Sequence, residues 1–104
     1  MEIHFRFAGD GDRKQLKAHA KRRAQFALDR VSGLVRSMTV VWTDENGPRG
    51  GRDQRCTIHV SLRRGGRPIV VRALAESAEA ATSEAINRAR RRLERRQPRR
   101  AATG

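Results

Sequence analysis

The sequence predicts an α+β fold, a β-α-β-β-β-α two-layer sandwich in which a four-stranded sheet carries both helices on one face. Three observations lead there. Four segments alternate apolar and polar residues with a period of two, and two alanine-rich segments place apolar residues at helical spacing. Each strand-like segment is apolar on one side only, so a single face of the sheet needs covering. At 104 residues the chain has material for one domain and one core. We expect that domain over residues 1–97 and a disordered basic tail over 98–104.

The first strand runs from Met1 to Phe7, with Ile3, Phe5 and Phe7 on one side and Glu2, His4 and Arg6 on the other. Ala8-Gly9-Asp10-Gly11 breaks it. Asp12 followed by Gln15 reads as a capping box for a helix from about Arg13 to Leu28 or Arg30, with Leu16, Ala20, Ala24, Ala27 and Val31 as its apolar stripe. Ser32-Gly33 ends the helical region, and a second strand follows from Val35 to Thr43, with Met38, Val40 and Trp42 sharing a face. Its connection to the first strand should be right-handed, which makes the two parallel.

Residues 44–53 form a loop dense in arginine and turn formers, Asn46-Gly47-Pro48-Arg49-Gly50-Gly51-Arg52. The third strand, Arg55 to Arg63, turns Cys56, Ile58, Val60 and Leu62 inward and Arg55, Thr57, His59, Ser61 and Arg63 outward. Arg64-Gly65-Gly66-Arg67 makes a tight hairpin into the fourth strand, Pro68 to Leu74. The second helix begins at Ser77 as N-cap and buries Ala78, Ala81, Thr82, Ala85, Ile86, Ala89 and Leu93. Its acids, Glu76, Glu79 and Glu84, sit in the first half and its arginines in the second, the polarity that the helix dipole favours. Pro98 stops it.

Composition narrows the function. Lys and Arg number 24 against 11 Asp and Glu, a net charge of +13. The isoelectric point of about 11.8 lies well beyond the value of roughly 9 that marks polyanion binders. Solubility asks for a net charge of only about 2 to 8 in a small domain. A membrane partner would need a spanning apolar run or bulky apolar anchors on an amphipathic helix, and the sequence offers neither. The opening residues read as a strand rather than a signal peptide, and there is one cysteine, Cys56, so a cytoplasmic protein is expected.

Catalysis is not expected. Cys56 and His59 are three apart in a strand and point to opposite faces; His4 and His19 show no zinc spacing with them. The glycines miss both phosphate-loop fingerprints, and the acids are scattered. We expect no cofactor, no metal, no small-molecule substrate and a monomer when free.

The basic stripes carry the signal. Arg88, Arg91 and Arg95 fall on one line of the second helix, and Lys14, Lys17 and Lys21 repeat that spacing on the first. Side by side on a sheet, the helices would offer one broad cationic face. The chain has no Tyr, and Phe5, Phe7, Phe26 and Trp42 are assigned mostly to the core, so base stacking is not expected. Arginine forks grip phosphates whatever the sequence, which favours recognition of a structured RNA by shape and charge.

Several strings, together with the order of elements, resemble the ribosome hibernation promoting factor family, also called ribosome-associated inhibitor or sigma-54 modulation proteins. They are Phe26-Ala27-Leu28-Asp29-Arg30, the loop Asn46-Gly47-Pro48-Arg49-Gly50-Gly51 with Asp53-Gln54-Arg55-Cys56 after it, and the basic end of the second helix. The resemblance spans about Met1 to Arg96 and departs at Glu79, where that family often has an aromatic residue. It implies a β-α-β-β-β-α domain that binds the 30S subunit in the mRNA channel at the A- and P-site region, stopping translation and protecting idle ribosomes under stress. By position it implies contacts to the 16S rRNA backbone from Lys14, Lys17, Lys21 and Arg22 on the first helix. On the second it implies Arg88, Arg91, Arg92 and Arg95. Long members of the family carry a further dimerisation domain, so the chain resembles a short form. Two other readings stand beside this one: a general structured-RNA module or RNA chaperone similar to double-stranded RNA-binding domains, and a regulator that docks on an acidic protein.

Overall fold

The computed structural model of the chain describes residues 1–8, 13–44 and 54–96. Its elements are β1 (Glu2–Ala8), α1 (Lys14–Ala27), a 3₁₀ turn (Asp29–Leu34), β2 (Val35–Asp44), β3 (Gln54–Leu62), β4 (Ile69–Ala75) and α2 (Ala78–Arg96). The sheet has the order β1-β2-β3-β4. The β1–β2 pair is parallel and the other two are antiparallel, so the expected α+β architecture is the one observed. The expected cap Asp12, the loop 46–52 and the tail 98–104 lie outside the described residues.

Cross-strand register explains why one face is apolar. Phe7 pairs with Trp42, Trp42 with Cys56 and Cys56 with Ala73, so inward side chains form continuous rows across the sheet. Val35 and Met38 are both fully buried although they are three residues apart, a spacing that strict alternation would split between faces. A register irregularity between Val35 and Ser37 supplies the extra residue that turns both inward. The β3–β4 hairpin closes through Gly65 and Gly66, whose φ of +76° and +91° lie where a side chain would be strained.

Both helices cover the apolar face. α1 buries Leu16, Ala20 and Ala24 and ends at Ala27, earlier than the outer limit expected from its stripe. The chain then tightens into the 3₁₀ turn, which carries Val31 into the same core. α2 starts where Ser77 Oγ accepts the Ala80 N–H at 3.1 Å, the expected N-cap. Ala20, Ala24, Ala81, Ala85 and Ala89 are fully buried. Small side chains at these positions permit close approach of the two helices.

A buried polar tie helps to fix α2 on the sheet. Trp42 Nε1 donates to Thr82 Oγ1 at 2.8 Å, and that hydroxyl donates in turn to the Ala78 carbonyl at 2.6 Å. The Trp42 ring is stacked by Phe5 and Phe7, with centroids 5.6 and 4.7 Å away. Beside it Cys56 is fully buried, and burial pushes its thiol up to about 12, against a smaller opposing effect of its hydrogen bond with Thr82. His59, three residues on, is exposed on the opposite face.

Candidate nucleic-acid interface

Period 3.6 puts the arginines of α2 on the flank that faces the edge strand β4. There Arg88, Arg91, Arg92 and Arg95 line one cleft of about 540 Å³ together with Arg72, Val70 and Val71. All four arginines expected on this helix are therefore brought together. Arg72 joins them from β4 and was not anticipated; its signal was the alternation Val71, Arg72, Ala73, which turns it away from the core. A second cleft of about 300 Å³ continues past Arg72 and Arg88 to Arg55 and Leu74, with Glu84 on its wall.

Two guanidinium groups on this flank also serve the backbone. Arg88 donates Nη1 to the Arg72 carbonyl, and Arg96 donates Nη1 to the Arg67 carbonyl at 3.5 Å. These bonds engage outward carbonyls at and just before β4, which blunts an edge open to strand addition. Arg91, Arg92 and Arg95 are exposed and have no hydrogen-bond or ion-pair partner among the described residues. They form the part of the ridge that is open to solvent.

The α1 cations lie on the other flank. Lys17 Nζ sits 5.6 Å from the centre of the Phe7 ring on β1, and Arg13 Cζ sits 5.8 Å from it, contacts worth roughly 0.5–1 kcal/mol each at an exposed site. Helical spacing sets Lys14 and Lys21 beside Lys17, and Arg22 near the crest of α1. Since β1 and β4 are opposite edges of the sheet, the two stripes do not adjoin. The helices do lie side by side, but their cations rim the two-helix layer, and an interhelical groove runs between the rims.

That groove, about 480 Å³, is walled by Arg23, Phe26, Ala27, Asp29, Arg30 and Val31 on one side and by Asn87, Arg90 and Glu94 on the other. The helices are joined farther along by Ser83 Oγ and His19 Nε2 at 3.4 Å. Arg90 is held by Glu94 at 3.1 and 3.2 Å. Phe26, assigned to the core from sequence, is 82% exposed. The stripe Leu16, Ala20, Ala24 leaves position 26 about a third of a turn off its axis, so helical geometry held the correction. The other three aromatics do contribute to the core: Trp42 is buried, and Phe5 and Phe7 are partly buried against it.

Among the described residues no three His, Cys, Asp or Glu side chains converge as a metal site would require, and no helix is long and apolar enough to cross a membrane. What the surface can do is bind anions: two cationic rims with a mixed groove between them, on a rigid two-layer frame.

No protein-family model matches the chain, and no curated protein matches it. Solved structures do. The chain is similar to a ribosomal subunit interface protein from Coxiella burnetii, at 11% identity over 92% of this chain and 97% of that one, with a TM-score of 0.74. It is also similar to the N-terminal domain of Protein Y from Thermus thermophilus, at 16% identity over 93% of this chain and all of that one, with a TM-score of 0.73. At these identities the shared property is the fold.

Proposed function

We propose that this chain is a ribosome-associated, non-enzymatic hibernation factor. In this reading it lies in the mRNA channel of the 30S subunit near the A and P sites, holds the 16S rRNA backbone, and so stops translation and protects idle ribosomes. The observation that carries it is the cleft in which Arg88, Arg91, Arg92 and Arg95 converge, on a fold shared with a protein described as a ribosomal subunit interface protein. Exposed arginines, of which Arg91, Arg92 and Arg95 have no intramolecular partner among the described residues, meet phosphates by charge-assisted, bidentate bonds that read no sequence. That is the chemistry needed to grip a folded RNA by its backbone. The cations rimming the α1 side, Lys14, Lys17, Lys21 and Arg22, extend the same contact, and the setting is cytoplasmic.

Co-sedimentation with purified 30S subunits tests this. If each of the eight cations meets one phosphate, log affinity falls against log salt with a slope of roughly −6 to −7. Absence of the protein from the 30S pellet at low salt would end the proposal. A general structured-RNA module is the second reading, favoured by the same sequence-blind arginines. Competition separates the two: free duplex RNA that displaces the protein from 30S subunits at equal phosphate concentration supports the general module.

A further inference from the structure

We propose that the interhelical groove is a stacking site for one unpaired nucleobase, with the Phe26 ring as its platform. This rests on the RNA-binding reading above and adds to it a contact with a base, where the arginine ridge touches only backbone.

Three observations converge on the groove. Phe26 leaves its ring in water at the end of α1, although helix spacing would allow any polar residue there at no cost to the core. Beside it is a depression of about 480 Å³, within the range of roughly 300–1,000 Å³ typical of sites for small ligands. The charges in its walls are close to balance, Arg23, Arg30 and Arg90 against Asp29 and Glu94, and the Arg90–Glu94 pair is already closed at 3.1 Å. The cationic rims lie outside it. A neutral, planar group therefore suits the groove, while the phosphates attached to that group belong on the rims.

The chemistry of the walls fits a base in particular. Every nucleobase has a π-face that stacks on an aromatic ring, and the contact tolerates any sequence. Asn87 presents an amide across the groove, with both donors and an acceptor for a base edge. The Arg23 Nε is shut off from solvent without a hydrogen-bond partner among the described residues, a donor that an acceptor atom on a base edge can meet. A single strand crossing the helix layer would thus set phosphates on the rim at either side and one base between them.

The test uses a single-stranded RNA of about ten nucleotides, within the usual span of single-strand sites, carrying 2-aminopurine, whose fluorescence is quenched on stacking. A fully paired duplex of the same sequence is the control. Wild-type protein should quench the probe. Phe26→Ala should abolish the quenching and weaken single-strand binding by roughly 5- to 150-fold, and leave duplex binding unchanged; Phe26→Trp should restore both. Equal single-strand affinity and quenching in Phe26→Ala overturns the stacking site alone. Equal losses on single strand and duplex overturn it too, as a general disturbance of α1. Loss of 30S binding by Phe26→Ala with unchanged single-strand affinity assigns the groove to a ribosomal protein. If wild-type protein binds neither RNA nor 30S subunits, the RNA-binding reading itself fails.

Discussion

Neutralising Arg91, Arg92 and Arg95 to glutamine separates binding from folding more cleanly than any other change in this surface. The three are exposed and have no intramolecular partner among the described residues, whereas Arg88 and Arg96 also serve the carbonyls of Arg72 and Arg67. On α2 the like-charged neighbours are Arg88–Arg91, Arg92–Arg95, Arg88–Arg92, Arg91–Arg95 and Arg92–Arg96, and the triple variant removes the repulsion in every one. At ~0.2–0.5 kcal/mol per pair the five pairs together relieve about 1–2.5 kcal/mol. Losing the Arg95 charge from the last turn returns about 0.3–1 kcal/mol through the helix dipole. The variant should therefore be as stable as the parent, or up to about 2 kcal/mol more stable. Its 30S binding should weaken, and the salt slope should become shallower by roughly 2 to 3, one lost phosphate contact per arginine. Fluorescence anisotropy across a potassium chloride series, beside thermal unfolding, reads both. An unchanged slope, or a fall in stability of more than about 1 kcal/mol, would refute the assignment of these arginines to RNA rather than to the fold.

Three further outcomes concern the frame. Thr82→Val keeps the shape but strips the acceptor from Trp42 Nε1, so it should cost about 1–3 kcal/mol in urea unfolding; an isoenergetic variant would show that Trp42 finds another partner. Leu93→Ala empties a fully buried site under the arginine ridge and should cost about 2–5 kcal/mol, with 30S affinity weakened through loss of ordered α2; calorimetry and anisotropy together check this. The Cys56 thiol, pushed up from the usual 9 to about 12 by burial, binds its proton more tightly in the folded than in the unfolded chain. Its contribution to stability is thus complete below pH 9 and is lost as pH rises from about 9 to about 12. Cys56→Ser should flatten that part of the curve. Native protein should also resist thiol reagents that label it readily in denaturant.

The fold was legible because each level of the sequence agreed with the next. Alternation in 1–7, 35–43, 55–63 and 68–74 gave strands with one apolar side, each within a residue of the observed bounds, and Ser77 and Gly65-Gly66 marked a helix start and a hairpin that the structure keeps. The α2 arginines were legible too, since helical spacing alone puts them on one flank. Less visible was where that flank faces. Spacing defines a line on a helix but not its neighbour, so the lysine and arginine stripes looked adjacent when they rim opposite edges. Arg72 was missed because a residue on an edge strand joins the α2 cluster only through tertiary packing. Phe26 was misassigned because aromatic residues are usually buried, a composition argument that the helical position should have outweighed.

Chemical footprinting of the 16S rRNA on 30S subunits, with and without the protein, reads out directly where the arginine ridge of α2 lies. Protections should cluster along the mRNA channel at the A- and P-site region, be lost at high salt and be weakened by the Arg91, Arg92 and Arg95 substitutions. Protections scattered over exposed helices of the subunit, or none at saturating protein, would contradict that placement.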